Sequence, residues 1–148
     1  MSYALLVFRD SQIGECMANI LVVDDDPEIR AMVVQKLAAA GHTVRAEADG
    51  DAAMSAVEAD TPDVVLVDWM LPGRSGIQVC EAVRERTDAL VFILTARAQA
   101  DDVRRGYEAG ADGYIIKPFS PRELLRSIDD ALAARSADRT AGDRTAGD

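Results

Sequence analysis

The sequence predicts an α/β fold, a doubly wound five-stranded parallel sheet covered by five helices, and three observations carry that prediction. Between Asn19 and about Arg135, short aliphatic runs alternate with longer stretches of helical periodicity, the pattern of a parallel sheet with helices on both faces. Several of the runs are continuously apolar, as strands buried on both faces require. At 148 residues, 49% of them hydrophobic, the chain holds enough apolar material for one core and is too short for two sizeable domains.

The candidate strands are Ile20 to Val23, Thr43 to Ala46, Val64 to Val67, Val91 to Leu94 and Tyr114 to Ile116. The first helix starts at Asp26-Pro27, where an acid caps the end and proline occupies the first turn. Ile29, Val33 and Leu37 recur on one of its faces, and Gly41 closes it. A second helix is predicted over Asp51 to Ala59, stopped by Thr61-Pro62, and a third over Gly76 to Arg86. The fourth runs from about Ala100 to Ala109 and ends at Gly110. The fifth opens on Ser120-Pro121-Arg122-Glu123, a capping box, and Leu124, Ile128 and Leu132 form its apolar stripe.

Both ends read as additions to this domain, which spans residues 19–135. Residues 1–18 read as a dispensable N-terminal extension, with Met17 a reasonable alternative start; Tyr3 to Phe8 is also open to reading as an added strand. Residues 136–148 repeat Arg-Thr-Ala-Gly-Asp twice and are expected to be a disordered tail. The net charge of −10 argues against direct nucleic-acid binding, which needs a basic face. Cys16 and Cys80 stand far apart with no metal-ligand spacing, the pattern of a protein kept in a reducing cytoplasm. The apolar run Tyr3 to Phe8 is too short to span a bilayer and lacks the basic residues of an export signal.

In an open parallel sheet, ligands bind beyond the carboxyl ends of the strands, so the residues following each apolar run are the ones to inspect. The first run ends in Asp24-Asp25-Asp26, the third in Asp68 and the fourth in Thr95, and the fifth leads into Lys117-Pro118. Taken alone, the acidic triplet reads as a solvated loop with Asp26 as a helix cap. Beside Asp68 it reads differently, because two unneutralised carboxylates about 4 Å apart repel by about 4 kcal/mol at an effective dielectric near 20. The cluster calls for a cation. Mg²⁺ fits, since it takes a few carboxylate oxygens plus water and phosphate, and no cluster of nitrogen or sulfur ligands lies nearby. Lys117 supplies a second positive charge, held between Ile115-Ile116 and Pro118, where the backbone is restrained and a cis bond is accessible.

Four segments together resemble the receiver domains of response regulators: Ile20-Leu21-Val22-Val23-Asp24-Asp25-Asp26-Pro27, Val67-Asp68-Trp69-Met70-Leu71-Pro72-Gly73, Leu94-Thr95-Ala96 and Asp112-Gly113-Tyr114-Ile115-Ile116-Lys117-Pro118-Phe119. Each alone is weak, but they stand in the family's order, each at a strand end. The resemblance implies a flavodoxin-like receiver fold acting as a switch in two-component signalling. It implies Asp68 as phosphoacceptor, with Asp25 and the Met70 backbone carbonyl as Mg²⁺ ligands and Asp24 assisting through water. Lys117 would pair with the phosphoryl oxygens, and Thr95 and Tyr114 would follow the phosphoryl group as switch residues. The surface around the fourth helix, fifth strand and fifth helix is the implied output. The implied partners are a histidine kinase or histidine phosphotransfer protein and a downstream protein effector, with a phosphorylation-dependent homodimer left open. Met70 and Arg97 stand where the family controls water access to the aspartyl phosphate, and neither orients water well.

Rival readings are weaker. A haloacid-dehalogenase-type phosphatase needs a second acid where Met70 stands. A flavodoxin-like cofactor binder would meet an acidic first turn. Within the receiver reading, the alternative is a fragment of a winged-helix DNA-binding regulator, suggested by Arg105, Ala111-Asp112 and Pro121-Arg122-Glu123-Leu124. Gly113 and Ser127 depart from the acid and arginine that branch places there. The single histidine, His42, reads as a turn residue, Trp69 as a side chain at the rim of the site, and Cys80 as a small apolar group in the third helix.

Overall fold

The computed structural model describes residues 17–147, with side chains as far as residue 137. Five strands form one parallel sheet: β1 (Asn19–Val23), β2 (Thr43–Glu47), β3 (Val64–Asp68), β4 (Leu90–Thr95) and β5 (Gly113–Ile116), in the order β2-β1-β3-β4-β5. Five helices connect or follow them: α1 (Pro27–Ala39), α2 (Gly50–Ala59), α3 (Gly76–Arg86), α4 (Ala100–Glu108) and α5 (Pro121–Gly147). The predicted fold class is therefore the observed one, and the predicted strands differ from those observed by a residue or two at their ends. Tyr3 to Phe8 and Cys16 lie outside the described residues.

The alternation of strand side chains sorts the core into two layers. Leu21, Val23, Val65, Val67, Val91 and Ile93 face α2 and α3, meeting Ala53, Met54 and Val57 from the first and Ile77, Cys80 and Val83 from the second. Ile20, Val22, Val64, Leu66, Phe92 and Leu94 face the other way, onto Val33 and Leu37 of α1 and Leu124 and Ile128 of α5. Both faces of β1, β3 and β4 are thus covered, which explains why their sequences read as unbroken apolar runs.

Capping follows local chemistry. Asp26 accepts from the N–H groups of Glu28 and Ile29 at the start of α1, with Pro27 in the first turn. Ser75 with Gln78 and Ser120 with Glu123 close reciprocal capping boxes on α3 and α5. The cap of α2 is Asp49, whose carboxylate takes the Ala52 N–H, so that helix begins at Gly50, one residue before the predicted start. Helix α5 continues through residues 136–147, where the sequence predicts a disordered tail. Three alanines and two arginines favour helix there, no proline interrupts it, and extension of a nucleated helix needs only one residue fixed per bond.

His42 is more than a turn residue. Its side chain is buried, Nδ1 accepts the Ala18 N–H at 3.1 Å, and Nε2 lies 3.9 Å from an Asp129 carboxylate oxygen on α5. Burial pulls its pKa below the ordinary 6.5, and Asp129 opposes that only in part. A histidine held neutral in the folded state contributes stability that is present above about pH 6.5 and lost as pH falls through its lowered folded value. The urea unfolding midpoint should therefore fall on going from pH 7.5 to 5.5, and His42→Gln should show a smaller fall across that interval.

Candidate functional site

The chain order of the strands reverses between β1 and β3, which lie side by side with β2 and β4 beyond them. Such a switch point leaves a crevice at the carboxyl ends of the strands. The register fills it: Val23 pairs with Val67, so Asp24 follows next to Asp68. Asp68 pairs with Leu94, which brings Thr95 alongside, and Thr95 pairs with Ile116, the residue before Lys117.

Asp24, Asp25 and Asp68 bring a carboxylate oxygen each to within 4.8 Å of one another. Asp24 is fully buried, Asp68 is buried and Asp25 is exposed. The Lys117 ammonium sits between the two buried acids, donating to Asp24 Oδ2 at 2.9 Å and to Asp68 Oδ2 at 2.9 Å. The remaining oxygens are also bonded: Asp24 Oδ1 accepts the Asp26 N–H at 2.9 Å, and Asp68 Oδ1 accepts the Met70 N–H at 3.2 Å. The Lys117-Pro118 peptide is cis. Arg30 reaches back from α1 to donate to the Asp24 carbonyl at 2.8 Å, fixing the loop that carries the acids.

Burial raises the Asp68 pKa above the usual carboxylate value, and the Asp24 charge adds to the rise. Lys117 and the Met70 N–H counter it without cancelling it. For Lys117, burial is the largest single influence and lowers the pKa, but Asp68 and Asp24 together more than reverse it and hold the ammonium charged. The site therefore holds a proton on its lysine and lacks a full complement of positive charge for its acids. Three carboxylates converging from two adjacent strand ends, with one exposed face at Asp25 and no thiolate or imidazole in the group, form a donor set that suits a hard, oxygen-seeking divalent cation.

Thr95, Tyr114 and Met70 stand around this centre, their side chains hydrogen-bonded to Arg97 and not to the acids. Thr95 is buried, and its Oγ1 accepts the Arg97 N–H at 3.2 Å. Tyr114 is half-buried and donates its hydroxyl to the Arg97 carbonyl at 2.7 Å. The Met70 side chain is exposed, 3.8 Å from the Arg97 guanidinium at its sulfur. Trp69 carries that guanidinium over its ring, 4.6 Å from the centroid, and meets the Tyr114 ring edge-on at 6.4 Å. Trp69 thus does more than line the rim, a role no sequence motif marks. Beside Lys117 opens an apolar cleft of about 340 Å³ lined by Ile29, Met32, Ala96, Pro118 and Phe119. Cys80 is buried in α3 with its thiol pushed up to about 12 by burial, which leaves it a packing group.

The chain is similar to known proteins. Residues 20–129 match the model of the response regulator receiver domain. The chain is 43% identical over 110 residues to the DNA-binding response regulator MtrA of Mycolicibacterium smegmatis, an alignment covering 74% of this chain and 48% of that protein. It therefore spans about half the length of the curated relatives it matches. Among solved structures, it is similar to the receiver domain of the Francisella response regulator 1452, with a TM-score of 0.75 and 30% identity over 80% of this chain and 98% of that one. The BeF3-activated N-terminal receiver domain of Klebsiella pneumoniae RstA gives a TM-score of 0.74 and 32% identity over 77% of this chain and 97% of that one. With its strand-end acids, its bridging lysine and the match running through 110 residues of sequence, the chain belongs to the response regulator receiver family of two-component signalling.

Proposed function

We propose that Asp68 is the phosphoacceptor of a Mg²⁺-assisted switch, with a histidine kinase or histidine phosphotransfer protein as donor. The observation that carries this reading is the Lys117 bridge between two buried carboxylates at the β1/β3 crevice, with Asp25 completing the acidic cluster. Asp25, Asp68 and the Met70 carbonyl would hold the ion, with Asp24 assisting through water. Bound there, Mg²⁺ would supply the positive charge that phosphoryl oxygens and clustered acids both need.

The protein's own share is positioning and charge. An Asp68 oxygen attacks phosphorus in line, the donor's P–N bond breaks with its electron pair returning to the imidazole, and a carboxyl–phosphate O–P bond forms. Lys117 is already charged and within reach of Asp68, so it turns to the incoming phosphoryl oxygens with little rearrangement. The apolar cleft of Ile29, Met32 and Phe119 beside Lys117 gives a donor protein a surface on which to seat. Thr95 follows the phosphoryl group by its hydroxyl, and the response passes to the α4-β5-α5 face. Of the helices, α4 is the most easily moved: it has no side-chain cap and Gly106 alone of its residues is buried.

The output is a protein partner. A second reading, favoured by relatives named DNA-binding response regulators that are twice as long, makes this domain the controlling part of a winged-helix transcription regulator. Among the described residues no helix is long and apolar enough to cross a membrane.

The test is the intact mass of the protein incubated with acetyl phosphate. A single phosphoryl adduct is expected with Mg²⁺ and a loss of at least ten-fold in its yield with a chelator. An adduct indifferent to the chelator, or none from acetyl phosphate, phosphoramidate or a phosphohistidine donor, would overturn the reading.

A further inference from the structure

Arg97 joins groups on three different segments around the acid cluster. Its backbone N–H bonds Thr95 Oγ1 and its carbonyl receives the Tyr114 hydroxyl, so one residue is tied to both switch side chains. Its guanidinium lies over Trp69 at 4.6 Å, reaches the Met70 sulfur at 3.8 Å and pairs with Asp102 of α4 at 3.2 Å. Trp69 and Met70 directly follow Asp68 at the end of β3. The side chain therefore spans from the loop beside the acceptor to the helix on the proposed output face.

We propose that Arg97 is a positioning residue that clamps the unphosphorylated setting of the switch, with Trp69 and Met70 as its seat on one side and Asp102 as its anchor on α4. The proposal rests on Asp68 being phosphorylated. Thr95 Oγ1 cannot turn toward a phosphoryl group on Asp68 without altering its bond to the Arg97 N–H. The same peptide segment carries the carbonyl that holds Tyr114. Drawing Thr95 inward thus loosens Tyr114 and lifts the guanidinium from Trp69, and α4 loses its tie through Asp102. Gly106 of α4 seats the tyrosine ring in this setting, because it packs on the ring without a side chain: a Cβ there would lie 2.9 Å from two Tyr114 ring carbons. A stacked cation and a part-exposed ion pair together bias such an equilibrium by about five- to ten-fold.

The experiment uses the fact that Trp69 is the chain's single tryptophan. Its emission is recorded on the whole protein in Mg²⁺, before and after acetyl phosphate, with the adduct followed by intact mass in the same samples. Wild-type emission should move as the adduct accumulates. In Arg97→Ala the unphosphorylated emission should already lie most of the way to the phosphorylated value, with at least a two-fold smaller further change. Asp102→Asn, which keeps the cation over the indole but removes its α4 anchor, should fall between the two. Arg97→Lys, which retains charge without a planar stack, should resemble Arg97→Ala more than wild type. The clamp is overturned if wild-type emission stays fixed while the adduct forms, or if Arg97→Ala shows the full wild-type change. Absence of an adduct in wild type is a different failure, since it removes the phosphorylation reading and the clamp with it.

Discussion

Asp68→Asn is expected to abolish the phosphoryl adduct, reducing it at least a hundred-fold, while leaving a folded and slightly more stable protein. The amide keeps the shape of the carboxylate and still accepts from the Lys117 ammonium, but its oxygen is too poor a nucleophile to form the O–P bond. The stability follows from the sign of the Asp68 shift. Its folded pKa is raised above 3.8, so the folded state favours the protonated form. The associated stability is present below about pH 3.8 and lost as pH rises through the raised value, leaving the full deficit at neutral pH. Removing the charge removes that deficit and the repulsion from Asp24. Thermal melts at pH 7 in a chelator should therefore rise in the variant, and intact mass should show no adduct. An adduct of normal yield in Asp68→Asn would place the acceptor elsewhere.

Gly76→Ala is expected to have the largest effect on stability, about 3 kcal/mol or more, or about 10 °C in Tm. A Cβ at Gly76 would strike the Asp68 carbonyl oxygen and lie 2.8 Å from both the Asp68 carbonyl carbon and Trp69 Cα. These are backbone atoms at the end of a central strand, and the Gly76 N–H is itself bonded to the Trp69 carbonyl at 2.9 Å. No rotamer change relieves the overlap, so either α3 moves out or the loop after Asp68 moves in. Gly106→Ala is the informative control. There the methyl meets the Tyr114 ring and Ile93 Cδ1, which can swing aside, and alanine regains about 1 kcal/mol of helix propensity. Denaturant unfolding should separate the two by at least about 2 kcal/mol; similar losses would show that the backbone around Asp68 yields more readily than the geometry implies.

The fold was legible because its sequence signals are local and consistent with one another. Val64 to Val67 and Val91 to Leu94 are apolar at every position, which only a strand covered on both faces requires, and the box at Ser120 to Glu123 marks a helix start within one turn. The acid cluster was legible for a related reason: Asp24, Asp68, Thr95 and Lys117 each follow a strand, and parallel topology forces strand ends to one edge. The Arg97 clamp was not. A guanidinium over an indole from a different loop leaves no periodicity or spacing in the sequence, since Trp69 and Arg97 meet only through the pairing of β3 with β4. His42 shows the same limit. Its place at a turn is visible in sequence, but its burial and its bond to Ala18 arise from the way α5 and β1 enclose it. Gly76 reads as a helix start, and only the approach of its backbone to Asp68 shows why no side chain fits.

The two bonds made by Lys117 cross 49 and 93 residues of chain, the longer of them running to Asp24. In the chain, β1, β3 and β4 all precede the lysine, so every acid of the cluster is synthesised before its cation. Long-range closure of this kind comes late in folding. The lysine bridge can therefore close only with β5 in place at the sheet edge. On the proposed reading of Asp68 as acceptor, an incomplete copy would present paired acids without their counter-charge and would be a poor acceptor.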